Sequence, residues 1–204
     1  MVETPAEHDA WLIDLDGTLY WARGVKLAMA VELLWRGARK VGRLRRFRQE
    51  HELLRGDVLA ASEDPFMLQL ERAARALGLD VADLERDVRT WMIQRPQRYI
   101  RWFKRARVIA EIRAFRGGGG RTALVSDYPA RDKLDALGIS DLFDVVVASG
   151  EAHGPRRLKP DPDGYLRAAR ALGVPPERCL VLGDRDDADG AAARAAGMAF
   201  RRIG

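Results

Sequence analysis

Residues 11–20 read WLIDLDGTLY. Trp11, Leu12 and Ile13 run into Asp14, Leu15 and Asp16, the pattern of a short buried strand that breaks at Gly17. Side chains alternate along a strand, so Asp14 and Asp16 leave it on the same side. Carboxylates that close repel and draw protons back unless a cation or strong donors stand between them. The stretch therefore predicts a cation site at a strand end. The competing reading is a simple strand-end turn in which Asp14 caps a helix.

Downstream of residue 106 the chain alternates between helix and strand. ARVIAEIRAF reads as a helix closed by Gly117–Gly120, TALVSD as a strand and PARDKLDALG as a helix. FDVVVAS is then a strand, PDGYLRAARALG a helix, RCLVLGD a strand, DGAAARAAG a helix and MAFRRI a last, short strand. Such alternation predicts an α/β fold, a Rossmann-like parallel sheet with helices on both faces. Ligands of such sheets sit beyond the carboxyl ends of the strands, and Asp14, Ser126, Lys159 and Asp184 all fall at or near those ends.

Between about residues 21 and 105 no strand signal appears. LAMAVELLWRGARKVGRLRRFRQEHELL carries apolar residues at Leu27, Val31, Leu34, Trp35, Leu44 and Phe47, at the three- and four-residue spacings of an amphipathic helix. A second helix is expected from an N-cap at Ser62, with Pro65 in its first turn and Gly78 as its stop. VADLERDVRTWMIQR predicts a third, ended by Pro96. The organisation expected is a core of residues 1–20 and 106–204 interrupted by an all-helical subdomain of residues 21–105.

A chain of 204 residues, 47% hydrophobic and 32% charged, has the composition of a folded soluble protein with one core and a smaller insert. Its start, MVETPAEHDA, is not a signal peptide, and no apolar run is long enough to span a bilayer, so a cytoplasmic location without membrane association is expected. Cys179 is the single cysteine, which excludes an internal disulfide and a cysteine metal cluster. Charge is uneven: residues 21–105 hold 19 Lys and Arg against 11 Asp and Glu, a net of about +8, leaving the remainder near −3. Within the insert, RKVGRLRRFR at residues 39–48 has six basic residues and no acid. It reads either as a solvated helix face or as the seat of a polyanion, whether a multiply phosphorylated substrate, a nucleotide or nucleic acid. No feature specifies an oligomeric state.

Four segments, DLDGT at 14–18, VSD at 125–127, LKPDP at 158–162 and GDRDDADGAAARAAG at 183–197, stand in an order that resembles the haloacid dehalogenase superfamily. The resemblance implies a Mg²⁺-dependent phosphatase acting on a small phosphorylated substrate, with the helical insert as a cap over the site. It makes Asp14 the nucleophile that forms an aspartyl phosphate, and Asp16 the acid and base for the leaving group and the attacking water. Lys159 would offset charge on Asp14 and the phosphoryl group, while Ser126, Asp127 and Thr18 would contact substrate. Asp14, the main-chain carbonyl of Asp16, and Asp184 would hold Mg²⁺, with Asp189 as a supporting acid and Asp187 as the alternative.

An aspartate at position 16 suits ester hydrolysis and is not needed for carbon–halogen displacement, so phosphatase is preferred to dehalogenase. A phosphomutase would use the same residues, and a catalytically silent protein that binds nucleic acid or an acidic partner through the basic insert is a third reading. Asp127 stands where asparagine is more usual in the family, and Arg185 where small residues are frequent. His8, His51 and His153 lie in unrelated segments and are expected at the surface.

Overall fold

The computed structural model of the protein describes residues 8–56 and 64–204. Its centre is a five-stranded parallel sheet formed by β1 (Ala10–Ile13), β2 (Arg121–Ser126), β3 (Val145–Ala148), β4 (Cys179–Gly183) and β5 (Ala199–Arg202), in the order β3-β2-β1-β4-β5. β1 lies between β2 and β4, with Ile13 level with both Leu124 and Leu182. The polar residues at the ends of these three strands are thereby brought side by side.

Alternation sends successive residues of each strand to opposite layers, and both layers are apolar. Ile13, Leu124 and Leu182 pack with Ile109 and Ile112 of α6 (Ala106–Gly117) and Leu134 of α7 (Arg131–Leu137). Leu12, Val125 and Val181 pack against Tyr165 and Ala168 of α8 (Asp163–Leu172) and Ala192 of α9 (Ala191–Ala195). The last strand, expected to be short, has four residues and pairs with β4 at the sheet edge.

The described part of the insert is helical: α1 (Ala22–Arg36), α2 (Val41–Gly56), α3 (Pro65–Leu77), α4 (Val81–Val88), a wider π-helical turn over Arg89–Gln94, and α5 (Gln97–Ile100). Leu44, Phe47, Phe66, Leu70, Leu84 and Val88 build its own apolar cluster. Val25 and Ile100, near its two ends, join the cluster on one face of the sheet. No helix among the described residues is long and apolar enough to cross a membrane.

Three local expectations need correction. The long helical pattern is broken at Gly37, whose backbone leaves the helical region at φ −141° and ψ 21° and passes so near Trp91 that a Cβ would fall 2.4 Å from its ring. Leu27, Val31, Leu34 and Trp35 face outward, at 69%, 58%, 69% and 88% exposed, while Val25 is buried on the inner side of α1. Ser62 lies outside the described residues, and the cap of α3 is Asp64, whose Oδ1 accepts from the amides of Phe66 and Met67. Pro65 follows at the first helical position, and Gly78 ends α3 in a left-handed conformation, as expected.

Candidate active site

Asp14 directly follows β1, its amide donating to Leu182 O at 2.8 Å, so its carboxylate is fixed at the carboxyl edge of the sheet. Lys159 Nζ donates to Asp14 Oδ1 at 2.6 Å, and Thr18 Oγ1 donates to Oδ2 at 3.0 Å. The same ammonium donates to Asp189 Oδ1 at 2.7 Å. Tyr165 Oη donates to that oxygen at 2.9 Å, and the Arg185 amide to Oδ2 at 3.2 Å. Lys159, Asp14 and Asp189 are all buried, so two carboxylates share one cation in a medium that screens them poorly.

Burial pushes the Asp14 carboxyl up to about 8, Lys159 opposing the rise and the charges of Asp189 and Asp16 adding to it. Asp184, half-buried after β4, is raised by burial and then by Asp189. Lys159 loses by desolvation but is held well above its ordinary value by Asp14 and Asp189. The donor set fits a hard divalent cation: carboxylate oxygens of Asp14, Asp184 and Asp189 lie within 4.8 Å of one another, and one lysine leaves negative charge uncompensated. Asp187, by contrast, is exposed and paired with Arg185, and Asp186 pairs with Arg194.

Asp16 lies beside this cluster, but its carboxylate is engaged elsewhere. Lys133 Nζ donates to both oxygens at 2.7 and 2.8 Å, and Tyr20 Oη donates to Oδ1. Burial would raise this acid, yet Lys133 and Tyr20 outweigh it and hold the carboxyl below its ordinary range. Ser126 ends β2 and is buried, its Oγ accepting from the Tyr128 amide at 3.2 Å. Thr18 is fully buried against Asp14.

Both Asp127 oxygens are already bound: Oδ1 accepts from the Lys159 amide at 3.1 Å and Oδ2 from Arg55 Nη2 at 2.7 Å. Burial raises this acid, but contacts with His51, Lys159 and Arg55 depress it far below the carboxylate norm.

His51 corrects the expectation that the histidines lie at the surface. Its side chain is 3% exposed, its ring stacks on Tyr128 with centroids 4.5 Å apart, and Nδ1 is 3.1 Å from Gln69 Oε1. His153 is exposed, as expected, and His8 is half-buried. The signal for His51 was its place on α2, in the same buried stripe as Leu44, Phe47 and Leu54. Lys133 and Tyr165 likewise sit on buried stripes, beside Leu134 and Leu137 of α7 and Ala168, Ala169 and Leu172 of α8. A polar group on such a stripe must find a partner inside the protein.

These groups open on a cavity of about 470 Å³, bounded by the sheet edge below and the insert above. Asp14, Asp16, Ser126, Lys159 and Asp184 line its floor, and Met29, Leu33, Trp91 and Ile93 its apolar wall. This is the size of a small-molecule site.

A profile describing haloacid dehalogenase-like hydrolases matches residues 8–197. Over 72 residues the chain is 44% identical to glyceraldehyde 3-phosphate phosphatase of Methanopyrus kandleri, covering 35% of this chain and 30% of that protein. Over 144 residues it is 30% identical to phosphoserine phosphatase of Thermus thermophilus, covering 70% of this chain and 56% of that protein. The matched stretches thus span about half or less of these relatives' lengths. Among solved structures, a HAD phosphatase from Thermococcus onnurineus superposes with a TM-score of 0.66 at 22% identity, over 96% of this chain and 86% of that one, a likeness of fold.

Proposed function

The chain belongs to the haloacid dehalogenase-like hydrolase family, and from that premise we propose that it hydrolyses a small phosphate monoester with Asp14 as the nucleophile. The observation that carries this reading is the pair of carboxylates facing one small cavity, Asp14 clasped by Lys159 and Asp16 two residues beyond it. An acid so placed serves ester cleavage, where an oxygen leaving group needs a proton. The phosphatases among the curated relatives support the same class.

In this reading Asp14 attacks phosphorus, the ester P–O bond breaks, and the leaving oxygen takes a proton from Asp16. Water then attacks the aspartyl phosphate, Asp16 accepts its proton, and the Asp14–phosphorus bond breaks to release phosphate. Asp16 is an ionised acceptor while Lys133 holds it, so its donor role requires the carboxylate to leave that ammonium and take up a proton from water before the ester is cleaved, a proton it recovers from the attacking water in the second step. Lys159 keeps Asp14 aimed into the cavity and offsets phosphoryl charge, Asp189 and Tyr165 keep Lys159 in place, and Ser126 is the candidate donor to a phosphoryl oxygen.

Asp14, the Asp16 carbonyl, Asp184 and Asp189 are the groups that would hold Mg²⁺, directly or through water; the ion supplies charge neutralisation for attack on an anionic ester. Residues 21–105 act as the cap and residues 1–20 and 106–204 as the catalytic core. Closure over the cavity would exclude water from the phosphoryl group.

The test is phosphate release from p-nitrophenyl phosphate and from a panel of phosphorylated metabolites, with Mg²⁺ and after EDTA. Turnover is expected only with metal, and Asp14→Asn is expected to lower kcat by about four orders of magnitude or more. Activity that survives EDTA, or an Asp14→Asn enzyme with the parent's kcat, overturns the reading.

A further inference from the structure

Resting on the phosphatase reading, we propose that Arg55 and His51 of α2 form a subsite for a second anionic group, carboxylate or phosphate, carried by the substrate. Both residues line the cavity that holds Asp14 and Asp16. His51 Nε2 is buried without a hydrogen-bond partner, lying 3.7 Å from Asp127 Oδ2. Arg55 spends only Nη2 on Asp127. Its Nε and Nη1 are buried without hydrogen-bond partners, and Nη1 comes no nearer than 3.7 Å to Glu52, a side chain 65% exposed.

Buried donors without acceptors are costly, and a cationic group left this way costs more than a neutral one. Asp127 does not relieve the deficit: its Oδ2, which accepts from Arg55 Nη2, stays 3.7 Å from His51 Nε2, and neither of its oxygens bonds Arg55 Nε or Nη1. A ligand anion entering the cavity supplies the missing acceptor when the Arg55 and His51 side chains turn these buried donors toward it.

Charge along the cavity wall supports the same assignment. The floor supplies the acids Asp14, Asp16, Asp127, Asp184 and Asp189; its lysines are committed to Asp14, Asp189 and Asp16, its Arg185 to Asp187, and Asp127 holds one nitrogen of Arg55. The insert side adds Lys26, Arg48 and Arg55 against the single acid Glu52. A monoester held by its phosphoryl group at Asp14 would therefore meet its second attraction at α2. Asp127 sets the separation, its carboxylate joining Arg55 to the backbone of Lys159, whose ammonium holds Asp14.

Three non-hydrolysable probes of equal chain length isolate this contact: 2-carboxyethylphosphonate, 3-hydroxypropylphosphonate and propane-1,3-bisphosphonate. Their affinities are measured by titration calorimetry with Mg²⁺ present, for the parent, Arg55→Lys and His51→Leu. The parent is expected to bind the carboxylate or the bisphosphonate about tenfold more tightly than the alcohol, as charge-assisted hydrogen bonds predict. Which of the two binds better identifies the anion.

Arg55→Lys keeps a cation opposite Asp127 while removing the two orphan donors, and in it the preference should fall to about threefold or less. Equal affinity of the parent for all three probes, or a preference that survives in both variants, overturns the proposal. Equal affinities of the parent overturn it even if a variant fails to fold, and either variant that folds suffices to assign the preference to this pair. Release of phosphate from p-nitrophenyl phosphate tests the underlying phosphatase reading separately, since binding of these probes needs no turnover.

Discussion

A Cβ on Gly17 would fall 2.1 Å from Asp184 Oδ2, so the turn after β1 leaves room for the acid after β4 only because residue 17 has no side chain. Gly17 also sits at φ +106°, a conformation that L side chains rarely adopt. Gly17→Ala should therefore push Asp184 out of the carboxylate cluster. The half-saturating Mg²⁺ concentration in the phosphatase assay should rise about 10–100-fold, the scale of losing a group that positions a ligand. An unchanged Mg²⁺ titration would show that Asp184 is not held by this contact.

Asp14 provides a pH prediction with a definite sign. Its folded value, about 8, lies above the ordinary 3.8, so the folded protein carries an extra proton across that interval. The stability it contributes is fully present below 3.8 and is lost as pH rises through 8, so metal-free protein should become less stable across that window. Mg²⁺ binding at pH 7 requires the carboxylate form and should release up to about one proton. Calorimetry in buffers of different ionisation enthalpy measures that proton directly. Asp14→Asn should lower the release; a parent protein that releases none contradicts the assignment.

The sheet and the residues at its strand ends were legible because each is announced locally, by an apolar run that stops at a polar residue. Asp14, Ser126 and Asp184 then meet through strand register alone. The groups that escaped notice act across long separations: Lys133 reaches Asp16 over 117 residues and Arg55 reaches Asp127 over 72. Both are charged residues on helices, where a solvated face is the usual outcome. The error in α1 has another cause. Val25, Met29 and Leu33 recur at helical spacing just as Leu27, Val31 and Leu34 do, so periodicity does not select which stripe turns inward.

Asp16, tied to Lys133 and Tyr20, should matter in proportion to the leaving group. Asp16→Asn removes proton donation, which general acids supply at about 10²–10⁴-fold in rate. An alkyl phosphate should lose that much in kcat/KM, whereas p-nitrophenyl phosphate, whose leaving group needs little proton transfer, should lose far less. A plot of log kcat/KM against leaving-group pKa should steepen in the variant. Equal losses for both esters would remove Asp16 from the acid role while leaving Asp14 as nucleophile.

The basic run at residues 39–48 divides into cations that the insert uses itself and cations that it leaves outside. Lys40 Nζ lies 2.9 Å from Asp87 Oδ1 and Arg43 Nη1 2.7 Å from Oδ2, while Arg46 donates to Glu50. Asp87 is 11% exposed, so these pairs are better shielded than those of an open surface. Arg39 and Arg45 are exposed. Removing the shared acid by Asp87→Ala strands two cations against α4 and should cost about 1–3 kcal/mol in urea unfolding, between the values for exposed and fully buried pairs. Arg45→Gln should stay within about 0.5 kcal/mol of the parent, as surface changes do. The Asp87→Ala deficit should grow at low salt, where the freed Lys40 and Arg43 repel each other and their basic neighbours least screened. A loss for Arg45→Gln as large as that for Asp87→Ala would mean that the run stabilises the insert as a whole, and that Asp87 is not its anchor.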